Sequence, residues 1–135
     1  MRAMTTAERQ ERASALKREM NCCQAVARAF ADTLALDEAT LMDLASGFGS
    51  GMGTMEGTCG ALVGAIMVAG LRSQGKGRAA LSRNVFSRFK ELCGATACRD
   101  LKGIGTGKVL CSCDNCVRNA VLAAEESLAQ GAALP

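Results

Sequence analysis

The chain contains no histidine, no tryptophan and no tyrosine, and its single proline is the last residue, Pro135. Without imidazole, Ser–His–Asp and Cys–His nucleophilic sites are excluded in their usual form. Any metal site would have to be thiolate-rich. Without Trp and Tyr, base-stacking platforms are scarce, and a net charge of +3 adds little pull on phosphate, so no nucleic-acid partner is expected. Few breakers and little aromatic or β-branched content favour helices over sheet. A long apolar run is missing too. Thr58 to Leu71 is 14 residues, whereas a spanning helix needs about 20, so no membrane span is expected. The first 19 residues, MRAMTTAERQERASALKRE, are dense in charge and lack the apolar core of a secretory signal. The protein reads as cytoplasmic.

What is present fits one folded domain. The chain has 135 residues, 49% hydrophobic and 21% charged, enough for a real core. Residues 1–135 read as a single all-α, cysteine-rich domain, with 1–14 and 130–135 as ends that fray. The pattern predicts a bundle of about five helices with a glycine-rich loop before the central one. Leu16, Met20, Cys23, Ala27, Phe30 and Leu34 recur at helical spacing, which predicts one long helix, or two joined helices, over 5–34. Asp37 is a good N-cap for a second helix ending near Gly47. Thr58 can cap the third. The fourth spans about 76–93, with Gly94 as its stop. Residues 94–112 look irregular apart from one turn at CRDL, and the last helix begins near Cys113.

The loop GFGSGMGTMEG (47–57) invites a nucleotide reading that its spacing rejects, because G-x-G-x-x-G never occurs and no strand precedes it. GIGTGK (103–108) ends like a P-loop, but Lys102 stands at the first glycine position and Val109 where Ser or Thr is required. The loop is then either a flexible connection or a backbone cradle for an anionic centre.

Eight cysteines, Cys22, Cys23, Cys59, Cys93, Cys98, Cys111, Cys113 and Cys116, point in a reducing compartment to metal ligation or thiol redox chemistry rather than to disulfides. Any one of them could simply be a small buried hydrophobe. Yet Cys59 and Cys113 fall at predicted helix starts, and Cys98 precedes the short turn. Helix N-termini stabilise thiolates and lower cysteine pKa values. CSCDNC (111–116) is C-x-C-x-x-C, a local signal for zinc or a cluster without the second knuckle that would single out zinc. Cys23 lies on the apolar stripe and reads as packing, Cys22 as the freer of the pair, and Cys93 as core. Residues 72–90 carry six basic side chains and no acid, either a solvated face or a dock for an acidic electron-transfer partner.

NCCQAV (21–26), FGSGMGTMEGTCGALVGA (48–65), CRDL (98–101) and CDNCVRNA (113–120) together resemble the C_GCAxxG_C_C family of redox-active proteins. The likeness runs from about residue 15 to 127, and CGALVG is its most specific element. It implies four family cysteines, Cys22, Cys59, Cys98 and Cys113. A similar domain occurs in split-Soret cytochromes, where it is associated with an iron–sulfur centre. Met20 stands where family members often carry an aromatic residue, and Cys116 where an aromatic or aliphatic one is usual. Cys23, Cys93, Cys111 and Cys116 are extra, and Cys23, Cys111 and Cys116 are therefore candidate additional or substitute ligands.

The leading expectation is a redox protein with one [2Fe–2S] or [4Fe–4S] cluster on Cys22, Cys59, Cys98 and Cys113, serving electron transfer or redox sensing. Gly57, Gly60 and Gly64 belong to the cofactor site. Backbone N–H groups near Gly57 and Gly60 approach the sulfurs, while Gly60 and Gly64 let the first or last helix pack closely. The alternatives are a thiol–disulfide enzyme pairing Cys59 with Cys22 or Cys113, and a structural zinc module. A redox partner protein is expected, and a homodimer is plausible for a small domain with an exposed cluster edge.

Overall fold

The computed structural model describes residues 3–130. Seven α-helices follow in chain order: α1 (Thr6–Leu16), α2 (Cys22–Ala29), α3 (Glu38–Ala45), α4 (Gly60–Arg72), α5 (Arg78–Cys93), α6 (Cys98–Lys102) and α7 (Cys113–Gln130). A 3₁₀ turn (Ala31–Thr33) follows α2, and a π-type turn (Gly51–Met55) closes the glycine-rich loop. The all-α class holds, but the count exceeds the expected five. Residues 1, 2 and 131–135, part of the expected frayed ends, lie outside the described residues.

The extra helices have local causes. The predicted helix over 5–34 divides at 17–21, because Asn21 opens α2 with a capping box. Gln24 N–H donates to Asn21 Oδ1 at 2.8 Å, and Asn21 N–H donates to Gln24 Oε1 at 3.2 Å. The same device opens α1, between Thr5 and Glu8. CRDL extends into a helix of its own, which Gly103 ends at φ 75°. Asp37 caps α3 as expected, accepting from Thr40 N–H at 3.0 Å, and Gly94 ends α5 in the left-handed region at φ 92°. Helix α4 starts one residue later than expected. Its N-cap is Cys59, not Thr58.

Helix α4 is central and packs against α2, α5 and α7, while α7 also covers α1. Phe30, Phe89, Leu62, Val68, Val85, Val117 and Val121 fill the core. On the α2 side the two backbones nearly touch. A Cβ built on Gly64 would lie 2.8 Å from the Cys23 carbonyl oxygen and 3.1 Å from Val26 Cβ. The close neighbour at this glycine is therefore the second half of the predicted first helix. No helix among the described residues is long and apolar enough to cross a membrane.

Candidate metal centre

Four chain segments bring their cysteines to one cavity of about 280 Å³. Cys22 is the first residue of α2, Cys98 of α6 and Cys113 of α7, and Cys59 is the N-cap of α4. Cys116, one turn into α7, completes the wall, with Lys17, Asn21, Ser50, Met55 and Lys102. The starts of three full-length helices, α2, α4 and α7, thus face the same space with the positive ends of their dipoles, a setting suited to negative charge.

Two devices hold these segments together. An isolated antiparallel bridge joins Thr58 to Ala97. Cys59 N–H donates to the Thr96 carbonyl at 2.7 Å, and Cys98 N–H donates to the Gly57 carbonyl at 2.9 Å, so Cys59 and Cys98 are set side by side. On the other wall Gly60 makes room for Cys22. A Cβ at residue 60 would meet Cys22 Sγ at 2.5 Å and the Phe48 carbonyl oxygen at 2.5 Å. Gly57 N–H is spent inside the loop, on the Gly51 carbonyl at 3.1 Å. The N–H that reaches the Cys22 sulfur is that of Ser50.

The loop is therefore an ordered part of the wall. Ser50, Met52 and Met55 sit at positive φ, 51°, 64° and 66°, which for non-glycine residues costs on the order of 1–3 kcal/mol each. Two of the three, Ser50 and Met55, line the cavity, and Cys98 S–H donates to Met55 Sδ at 3.7 Å.

The thiols hold their protons strongly. The Cys22 thiol is pushed well up by its hydrogen bond with Cys59 and by burial, against the Ser50 N–H. Cys59 is pushed up to about 12. Its hydrogen bond with Cys116 and its burial outweigh the hydrogen bond with Cys22 and the N–H of Leu62. Burial raises Cys98 despite Lys102. For Cys116 the hydrogen bond with Cys59 lowers the value, but the one with Cys93 and burial raise it further. The expected lowering at the start of α4 is thus reversed, because neighbouring thiols and burial act more strongly than one helix terminus. Lys17 and Lys102 are the cations that line the cavity, and Lys102 is the one set against Cys116 and Cys113. Burial acts against its charge, but the sulfurs of Cys116 and Cys113 raise it overall.

The remaining cysteines divide. Cys23 is fully buried and contacts Met67, Sγ to Sδ at 3.6 Å, away from the cavity. Burial pushes its thiol up to about 12. Cys93, Cys111 and Cys116 form a second, tighter group, buried, with all three sulfurs within 4.8 Å of one another.

The model of the family described as "Putative redox-active protein (C_GCAxxG_C_C)" matches residues 20–127. The chain belongs to that family. No curated protein and no solved structure matches it. In this C_GCAxxG_C_C member the buried group of Cys93, Cys111 and Cys116 is compatible with metal binding.

Several lining residues escaped the sequence reading. Lys102 was open to it, since it stands four residues after Cys98 on the same helix face. Lys17 and Met55 carry no local signal, because only the tertiary fold brings them to the cavity.

Proposed function

We propose that this protein holds one iron–sulfur cluster in the cavity, on Cys22, Cys59, Cys98 and Cys113, and serves electron transfer or redox sensing. The observation that carries this reading is the arrival of four helix-start cysteines at one space of about 280 Å³. A single water-sized occupant needs only about 10–15 Å³ by the same measure, so the space suits a polyatomic group better than one ion. Such a cluster supplies reversible one-electron chemistry at thiolate-held iron.

The surrounding residues fit that group. Helix termini and Lys102 offset its negative charge. The Ser50 N–H reaches a ligand sulfur, the kind of contact that tunes potential. Cys113 is exposed, which gives a redox partner protein, or a second copy of the chain, an edge to approach. A cytoplasmic setting belongs to the same proposal, since eight free cysteines persist in a reducing compartment.

The thiol–disulfide reading is weaker on one observation. It needs an activated thiolate, and Cys59, its candidate, is pushed up to about 12.

The test is anaerobic purification, with a visible spectrum and assays of iron, acid-labile sulfide and zinc on one sample. Matching iron and sulfide, lost on alanine substitution of Cys22, Cys59, Cys98 or Cys113, is the expected result. A colourless, metal-free protein with a titratable disulfide would replace this reading by the thiol enzyme. Colourless protein whose zinc is lost with these four cysteines would replace it by the zinc module.

A further inference from the structure

We infer that Cys93, Cys111 and Cys116 form a second metal site, adjoining the cavity through Cys116 and built for one thiophilic divalent cation of the zinc class. The three come from different places: the last residue of α5, the segment before α7 and the first turn of α7. They are 4%, 8% and 1% exposed. Cys93 and Cys111 are 3.4 Å apart, sulfur to sulfur, and all three sulfurs lie within 4.8 Å of one another. A tetrahedral zinc with Zn–S near 2.3 Å sets its sulfurs about 3.8 Å apart. The group is thus close to the geometry that one ion requires, and too tight for a cluster of several irons.

What surrounds the sulfurs suits thiolates held on a metal. Asn119 directs its side-chain N–H group at two of them, at 3.3 Å from Cys93 Sγ and 3.9 Å from Cys111 Sγ. Lys102 Nζ lies 3.5 Å from Cys116 Sγ and also donates to the Cys111 carbonyl at 3.3 Å. Three thiolates, one divalent cation and the Lys102 ammonium sum to zero charge, which a buried site needs. Binding displaces the thiol protons. Three protein ligands leave one position for a small solvent-derived ligand. Cys93 and Cys111 do not line the cavity, whereas Cys116 and Lys102 do, so the two sites share one wall and the Cys93 and Cys111 variants are the ones that address this site alone.

The experiment uses the full chain, purified without oxygen and incubated with zinc. Zinc, iron and sulfide are then measured on the wild type and on Cys93→Ser, Cys111→Ser and Asn119→Ala. Stoichiometric zinc is expected in the wild type. It should be lost in both cysteine variants and weakened roughly 10- to 100-fold by Asn119→Ala, which removes only an outer hydrogen bond. Iron and sulfide should not change in any of them, so the cavity reading stands or falls on its own numbers. Should the cysteine variants fail to fold, Asn119→Ala and the thiolate charge-transfer bands of cobalt bound to the wild type decide the matter. The inference is overturned if the wild type takes up no zinc, including the case where Cys93 and Cys111 are found joined as a disulfide. It is equally overturned if zinc persists in both cysteine variants, is indifferent to Asn119→Ala, or is lost with Cys22→Ser and Cys98→Ser instead.

Discussion

A methyl group on Gly60 would sit 2.5 Å from both the Cys22 sulfur and the Phe48 carbonyl oxygen. The sulfur lines the cavity and would have to shift, and the carbonyl belongs to the loop that forms the wall. Gly60→Ala is therefore expected to lose most of its iron and sulfide, although alanine is the better helix former. Gly70, ten residues on in the same helix, has nothing within 4 Å of a built Cβ. Gly70→Ala should keep its iron and gain about 0.5–1 kcal/mol, read from urea unfolding. Full iron content in Gly60→Ala would show that the cavity does not need the bare backbone. Lys102 gives a second residue-level test. Its charge sits among the sulfurs of Cys116 and Cys113. Lys102→Gln leaves one positive charge fewer to offset an added electron, so the midpoint potential should fall. An unchanged potential in a variant with normal iron would remove Lys102 from the cofactor's environment.

At the scale of elements, the contact between α2 and α4 positions Cys22 against Cys59. A Cβ at Gly64 would meet backbone, the Cys23 carbonyl oxygen at 2.8 Å, so the helices must separate to admit it. Gly64→Ala should cost about 1–3 kcal/mol and lower iron retention along with the urea midpoint. If stability is unchanged, the two helices are looser than this contact implies. Much of this level was legible in the sequence. Helical spacing and caps are local, so Asp37, Gly94 and the start of α7 could be read directly, and Asn21 with Gln24 spells a capping box within NCCQ. The cysteines at helix starts were legible for the same reason. Their meeting was not. It rests on the Thr58–Ala97 bridge and on the approach of α2 to α4, between segments far apart in the chain. The grouping of Cys93 with Cys111 and Cys116 was hidden in the same way. Cys93 falls on an apolar helix face and reads as core, and nothing nearby indicates that the end of α5 meets the start of α7. Even the protonation of Cys59 depended on neighbours that only the fold supplies.

At the scale of the whole molecule, one buried arginine ties the outer helix to the rest. Arg9 of α1 is 2% exposed. It donates to the Ala29 carbonyl at 2.6 Å, pairs with Asp32 at 2.5 Å and with Glu125 of α7 at 3.2 Å, and lies 4.8 Å above the Phe30 ring. The hydrogen bond from Arg9 and its charge hold the Asp32 carboxyl below the usual range. Asp37 is held low as well, by the N–H and hydroxyl of Thr40 at the start of α3. A carboxyl depressed in the folded state stabilises the fold above its unfolded pKa of about 3.9. That stability is lost as pH falls through the lower folded value. Cys59, at about 12, keeps its proton throughout this window and adds no slope. Bound metal would add one, because protons compete for its thiolates, so the metal-free protein gives the cleaner reading. Its urea midpoint should hold between pH 6 and pH 5 and then decline below about pH 4. Asp32→Asn should be less stable than the wild type at pH 6, and the two curves should converge in acid, with the residual slope owed in part to Asp37. Curves that stay parallel down to pH 2 would mean that the Arg9–Asp32 pair contributes nothing that titrates, and that α1 is held to the bundle by Glu125 and apolar packing instead.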